Sequence, residues 1–169
     1  MHSRRIAEAQ GACTFVLVFE TGDEAVAGLA EFARTHGLGA AQLSAIGAFS
    51  DAVLGYFDWE QKEYRRIPID EQVEVVSLLG HVALADDGPA VHAHAVVAGA
   101  DGAARGGHLL EGHVRPTLEV VLTESPAHLR KRYDPESGLA LIAPDAPETL
   151  QGEANLPHVP DDGAIAGEE

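Results

Sequence analysis

The sequence predicts an α/β fold of the α+β type, with a mainly antiparallel β-sheet and one main helix. Most of the first 144 residues fall into strand-like apolar runs separated by connections of hairpin length. Such short connections join antiparallel strands, whereas parallel strands need long crossovers. Only one long stretch shows apolar residues at helical spacing. At 169 residues the chain can bury a core without disulfides, and its lone Cys13 excludes an intrachain one.

The main helix is predicted to follow a first strand, Ala12–Glu20, which is rich in Phe and Val. The next four residues read Thr-Gly-Asp-Glu, a capping-box pattern with Thr21 as N-cap and Glu24 three residues later. Apolar residues then recur at helical spacing until Gly37, which is typical of a helix end.

The rest of the domain is predicted to be mostly strands. In chain order these are Ala41–Phe49, Ala52–Asp58, Tyr64–Ile69, Gln72–Ala85, Ala90–Gly99, Ala103–Leu110 and Thr117–Thr123. Asp86-Asp87-Gly88 indicates a turn within this series. A short helix from Ser125 to Tyr133 and a last strand at Leu139–Ile142 complete the prediction.

Charge divides the chain and disfavours two functional classes. The net charge of −16 disfavours non-specific DNA binding and polybasic membrane binding, which both need clustered Lys and Arg. No run approaches the ~20 apolar residues of a membrane span. Residues 1–11 are interpreted as an N-terminal extension, 12–144 as the domain and 145–169 as an acidic tail. Seven acids and no Lys or Arg lie in the tail, which leaves −9 on residues 1–144 and predicts disorder.

The start of the chain, Met1-His2-Ser3-Arg4-Arg5, carries no apolar segment of the kind found in secretory signals. This observation predicts a cytoplasmic protein.

Three of the nine histidines are predicted to meet on one hairpin. His92 and His94 are two residues apart in a strand and therefore face the same side. Ala100-Asp101-Gly102 suits a three-residue hairpin loop with Gly102 in the left-handed conformation. In that register His94 lies opposite His108, and His92 is its diagonal neighbour. A slip of one residue would turn His108 to the other face.

Three imidazoles with an open fourth position are typical of catalytic zinc sites, so we expect a divalent metal, zinc first. Nickel, iron or copper would also accept these ligands. The open position could bind a small molecule or activate water, and no catalytic residue can be assigned. The alternative is that the histidines merely form a packed or solvated strand face.

Four further residues are weaker candidates. Glu74 and Glu119 lie inside apolar strand runs, where they either face solvent or orient the imidazoles and act as a base. His81, on the neighbouring strand, is either a surface residue or a hydrogen-bond donor to the site. His113 is five residues beyond His108 and is expected on the opposite face.

Several motifs, in this order, resemble the plants-and-prokaryotes conserved (PPC) domain family over residues 12–143. They are Ile46-Gly47-Ala48-Phe49-Ser50-Asp51-Ala52, Glu74-Val75-Val76-Ser77-Leu78-Leu79-Gly80, His92-Ala93-His94, Gly106-Gly107-His108-Leu109 and Thr117-Leu118-Glu119-Val120. The resemblance implies an α/β domain that assembles as a homotrimer. Stand-alone bacterial members are similar in carrying the three histidines, which implies a metal site at His92, His94 and His108.

The resemblance also brings a DNA-binding label, from which this sequence departs. Plant members pair the domain with AT-hooks, and no Arg-Gly-Arg-Pro sequence occurs here. Their partner-contact motif Gly-Arg-Phe-Glu-Ile-Leu aligns with Glu71-Gln72-Val73-Glu74-Val75-Val76, so that Gln72 replaces the arginine. The favoured hypothesis is a metal-binding trimer of uncharacterised activity. A DNA-associated regulator and a purely structural or protein-interaction trimer remain the alternatives.

Overall fold

The computed structural model describes residues 1–125 and 127–145. In this part of the chain the elements are β1 (His2–Ala9), β2 (Ala12–Glu20), α1 (Ala25–Thr35), β3 (Ala40–Asp58), β4 (Glu63–Ile69), β5 (Val73–Ala85), β6 (Gly88–Ala98), β7 (Ala104–Glu124), β8 (Lys131–Asp134) and β9 (Leu139–Ile142). Within the same ranges, no helix has the length and hydropathy that crossing a membrane requires.

Seven strands form one antiparallel sheet in the order β1-β2-β7-β6-β5-β3-β4, and β7 also pairs with β3. A separate two-stranded sheet joins β8 to β9. Because β3 and β7 pair with each other as well as with their neighbours, the sheet closes on itself at its centre. The prediction of a mainly antiparallel sheet with one main helix is confirmed.

Two strands are much longer than predicted. β3 joins the two predicted runs on either side of Ser50, and β7 joins the two on either side of Arg115-Pro116. The register between them shifts at three places, including the steps from Gly47 to Phe49 and from Phe49 to Asp51. Bulges of this kind absorb residues that do not fit the ladder, so the polar and proline interruptions bend these strands without ending them.

The core lies between α1 and the inner face of the sheet. On the helix, Leu29, Phe32 and Ala33 are buried. The sheet contributes large side chains that are almost fully buried, among them Leu17, Phe19, Phe49, Leu54, Leu78, Leu118 and Leu122. Burying an aliphatic or aromatic side chain of this size contributes about 1.5–3 kcal/mol each.

The helix begins three residues later than the capping-box prediction. Its N-cap is Glu24, whose carboxylate accepts from the backbone N–H groups of Val26 and Ala27. The predicted cap, Thr21, instead donates its hydroxyl proton to the carbonyl of Pro116 at 3.3 Å. The predicted end is confirmed, because Gly37 follows the helix with a φ of 63°.

The chain termini differ most from the sequence prediction. Residues 1–11, interpreted as an extension, contribute β1, whose side chains are all exposed and therefore show no apolar pattern. Among the described residues of 125–133 there is no helix. Lys131–Asp134 is instead a strand, and it pairs with the strand Leu139–Ile142, whose bounds were predicted correctly. The predicted tail lies outside the described residues beyond Asp145.

The outer strands of the large sheet are β1 and β4. β1 carries a bulge between Arg5 and Ala7 and an ion pair from Arg5 to Glu8 at 2.9 Å. β4 contains Arg65, Arg66 and Pro68, all exposed.

Candidate metal centre

The β6–β7 hairpin has the register that its turn predicted. Gly99 donates its N–H to the carbonyl of Ala103 at 3.1 Å, and Gly102 has a φ of 77°. His94 therefore pairs directly with His108. Because the turn sets the register, the loop chemistry decides which side chains meet further down the hairpin.

His92, His94 and His108 form a compact group on the outer face of this hairpin. One ring nitrogen from each lies within 4.8 Å of the other two. The Nε2 atoms of His92 and His94 are 3.3 Å apart. Two nitrogens bound tetrahedrally at the usual zinc distance would be separated by about 3.3 Å, so this pair already has the required spacing.

Partial burial keeps two of these rings in the form that binds metals. Burial, followed by the charge of His108 and then of Lys131, lowers the pKa of His92 to about 4. Burial and then the charge of His94 lower the pKa of His108. Metal ligands must be deprotonated, so neutral rings at pH 7 bind an ion without first releasing a proton.

His108 also has a buried nitrogen that lacks a partner in the described chain. Its Nδ1 makes no hydrogen bond, although its ring stacks on Tyr64 with centroids 4.6 Å apart. An unsatisfied buried polar atom costs about 1–3 kcal/mol. Coordination of an ion by this nitrogen would offset such a cost, so the donor set fits a metal in chemistry as well as in spacing.

His81 lies beside the three-histidine group. It pairs with His92 across β5 and β6, and the two ring centroids are 5.1 Å apart. Its half-buried ring has an Nε2 without a hydrogen-bond partner among the described residues, and burial lowers its pKa. The structure thus places His81 against the ring of His92 instead of on open surface.

The structure does not bring Glu74 or Glu119 to the histidines. Both are exposed. Together with Ile46 and Val76 they line a shallow groove of about 410 Å³ on the solvent-exposed face of the sheet, called the open face below. Neither belongs to the three-histidine group. Their position on β5 and β7 matches the solvent-facing interpretation.

His113 belongs to a different cluster, as its position in the sequence predicted. Its Nδ1 lies 2.6 Å from a carboxylate oxygen of Asp51, which raises the pKa of His113. The pKa of Asp51 is lowered first by a hydrogen bond from Ser50 and then by this contact with His113.

Sequence reasoning missed Tyr64 and Lys131. Tyr64 lies in β4, and nothing in its strand pattern indicates a ring stacked on His108. Lys131 falls within the short helix predicted from Ser125 to Tyr133, but β8 places it near the histidines, where its charge acts on His81, His92 and His108. β8 is held there because Leu84 of β5 donates its N–H to the carbonyl of Leu129 at 2.7 Å.

The lowered pKa of His92 predicts a pH-dependent stability for the metal-free protein. The unfolded chain binds a proton at His92 near pH 6.5, whereas the folded chain does so only near pH 4. The free energy of unfolding should therefore fall as the pH is lowered from about 6.5 to about 4. Urea denaturation in a chelating buffer would measure this. The His92→Gln variant should lose less stability over the same interval, and an equal loss would contradict the prediction.

Comparison with known proteins finds a matching family profile and two similar curated proteins. The sequence profile described as the Plants and Prokaryotes Conserved (PCC) domain matches residues 6–126. Two curated Synechococcus proteins called bifunctional protein GlmU are 35% identical over 135 residues and 38% identical over 98 residues, covering 73% and 57% of this chain. The matches span only 20% and 14% of those proteins.

Solved structures agree with this match. A plant- and prokaryote-conserved protein of Pyrococcus horikoshii is 34% identical, covering 77% of this chain and 90% of that one with a TM-score of 0.73. A metal-containing protein of Archaeoglobus fulgidus is 33% identical, covering 85% and 99% with a TM-score of 0.72. A candidate DNA-binding protein of Ralstonia eutropha is 26% identical, covering 82% and 94% with a TM-score of 0.74.

Proposed function

The chain belongs to the Plants and Prokaryotes Conserved domain family, and from this premise we propose that it binds one divalent metal ion through His92, His94 and His108. The observation that carries the proposal is the convergence of three ring nitrogens within 4.8 Å of one another. The similar protein from Archaeoglobus fulgidus, described as metal-containing, supports it. Zinc is the first choice because it favours three histidines and an open position, with nickel and iron as alternatives.

The residues around the site would have different roles in binding the ion. The Nε2 atoms of His92 and His94 would hold the ion at their present spacing, and His108 would supply the third nitrogen. Tyr64, stacked on His108, restrains the rotation of that ring. A bound ion supplies Lewis acidity and one open position for a small-molecule ligand. No described carboxylate stands at the histidines to act as a base, so the proposal is metal and ligand binding with no reaction assigned.

Metal analysis of full-length protein purified without a histidine tag tests the proposal. We expect close to one divalent ion per chain by mass spectrometry of the metal content. Protein stripped with a chelator should melt at a higher temperature when Zn²⁺ is returned, because a ligand of the folded state stabilises it by mass action. Metal-free protein with no thermal shift on adding zinc would refute the proposal.

We further propose that the protein is a homotrimer, joined through the open face of its sheet. This face carries five exposed aliphatic side chains from β3, β5, β6 and β7: Ile46, Val76, Leu79, Val96 and Val121. A contiguous apolar surface on a soluble protein is typical of an interaction site. Leu79 pairs with His94 across two strands, so the face borders the metal centre.

An aspartate at Ile46, which lines this face, should separate the subunits. We expect light scattering to give three times the chain mass of 17.8 kDa for the wild type and a lower mass for Ile46→Asp. Ile46 is 62% exposed, so the variant should fold as the wild type does by circular dichroism. Tyr133→Asp, a control at an exposed hydrophobic residue on β8, should keep the wild-type mass. A monomeric wild type would disprove the assembly.

A DNA-associated role remains the second candidate, and it depends on the description of the Ralstonia eutropha relative. The net charge of −16 opposes it, since DNA affinity comes mainly from neutralised phosphates. A duplex mobility shift at low salt would favour this role, and its absence would remove it.

A further inference from the structure

Among the residues that the structure describes, the side chains whose charges act on the histidine group are basic. The groups whose charges act on His81, His92 and His108 are Lys131 and other histidines. The ligand group contains no carboxylate, although the chain has 27 acidic residues. An ion held by three neutral histidines would add two further positive charges. The site would then carry an excess of positive charge that no described side chain balances.

Lys131 contributes a positive charge that has no acidic partner among the described residues. It is half-buried on β8, and among residues 1–125 and 127–145 no acidic group forms an ion pair or hydrogen bond with it. A partly buried charge without a partner is costly, and natural proteins pair such charges. The segment leading into its strand is joined to β5, the strand of His81, because Leu84 donates its N–H to the carbonyl of Leu129 at 2.7 Å and pairs with Arg130. The ammonium therefore stands beside the site on a positioned strand.

We propose that the metal centre binds a small carboxylate, whose oxygen occupies the open position on the ion and whose charge is matched by Lys131. This inference rests on the metal site proposed above and adds the chemical class of its ligand. Hard or borderline divalent ions accept carboxylate oxygens readily. The ammonium supplies a second, fixed attraction for the same anion.

The surroundings favour a carboxylate over a phosphate. Phosphate sites are usually built from several backbone N–H groups at a helix N-terminus or in a nest of turns. The one helix in the described ranges has its first N–H groups occupied by the carboxylate of Glu24. Lys131 offers a single point charge, and Tyr64 covers one side of His108. These features suit a small anion with one charged group.

Cobalt-substituted full-length protein allows ion and anion to be measured separately. Co²⁺ uptake by the stripped protein, read from its visible absorption, reports the histidine site. Acetate is then titrated into the loaded protein, with acetamide as a neutral molecule of the same shape. We expect acetate to change the cobalt bands and acetamide to leave them unchanged.

Three variants assign the anion to Lys131. Lys131→Met should take up Co²⁺ as the wild type does but bind acetate about tenfold more weakly, as expected for the loss of one nearby charge. Lys131→Arg should restore binding to within a few-fold of the wild type. Lys62→Met removes the other lysine of the chain, which is exposed and lies over the ring of Trp59. This control should bind acetate normally.

The outcomes are distinguishable. Failure of the wild type to take up Co²⁺ overturns the metal site and this inference together. Uptake of Co²⁺ without a response to acetate, or an equal response to acetamide, overturns only the carboxylate inference. Equal acetate affinity in Lys131→Met and the wild type overturns the role of Lys131.

Discussion

The double variant His92→Ala/His94→Ala should retain no divalent ion after purification. It removes two of three ligands, and the remaining His108 cannot hold an ion alone. Loss of a group that merely orients a ligand weakens metal affinity by about 10–100-fold, so we expect loss of two ligands to exceed 100-fold. The measurements are metal content and the thermal shift on adding Zn²⁺, which should both disappear.

Two other histidines provide matched controls. His113→Ala removes an imidazole that contacts Asp51 and lies outside the group, so its metal content should equal that of the wild type. His81→Ala removes the ring beside His92 but no ligand, so affinity should fall less than in the double variant. If His113→Ala loses the ion and the double variant keeps it, the assignment of ligands is wrong.

Gly107→Ala should both destabilise the protein and weaken the metal site. A Cβ at Gly107 would lie 2.8 Å from the backbone carbonyl oxygen of Gly55, and backbone cannot give way as a flexible side chain does. β3 and β7 must then separate next to the pair formed by Gly55 and His108. We expect a loss of about 1–3 kcal/mol in the free energy of unfolding, typical of overpacking. Urea denaturation measures this loss.

The neighbouring glycine is the control. A Cβ at Gly106 would lie 3.4 Å from the carbonyl oxygen of Ala95, which is an ordinary contact distance. Gly106→Ala should therefore cost much less stability and leave zinc affinity close to that of the wild type. Similar losses in both variants would show that close approach at Gly107 does not position His108.

The hairpin that carries the three histidines could be predicted from the sequence because its register is determined by residues of its own turn. Ala100-Asp101-Gly102 defines the turn, and the turn fixes the pairing of His94 with His108 several residues away. The helix was predicted for the same reason, since apolar spacing and a terminal Gly37 are properties of one segment. The predicted start was wrong because two residues of this segment suit the N-cap. Thr21 fits the capping-box pattern, whereas Glu24 caps the helix in the structure.

Features that depend on distant parts of the chain could not be predicted. β1 exists because its backbone pairs with β2, and its exposed side chains show no apolar pattern. The bulged pairing of β3 with β7 carries the chain through Arg115-Pro116, which looks like a break in the sequence. The helix predicted from Ser125 was wrong because pairing with β9 makes Lys131–Asp134 a strand.

The same distinction holds within the site. The three histidines of one hairpin were found from spacing and turn type. Tyr64, His81 and Lys131 come from three other strands, and their approach to the hairpin follows from sheet order and from the packing of β8 on β5. No local pattern marks such residues.

The outer strands also determine how this protein avoids aggregation. An unpaired strand edge invites joining with another chain, and charges, proline and bulges obstruct that joining. β1 offers a bulge and the charged pair of Arg5 and Glu8, while β4 offers two arginines and Pro68. Both free edges of the large sheet therefore resist fibril-like growth. In the homotrimer proposed above, copies would instead meet through the aliphatic face, where association can stop at a finite number of subunits.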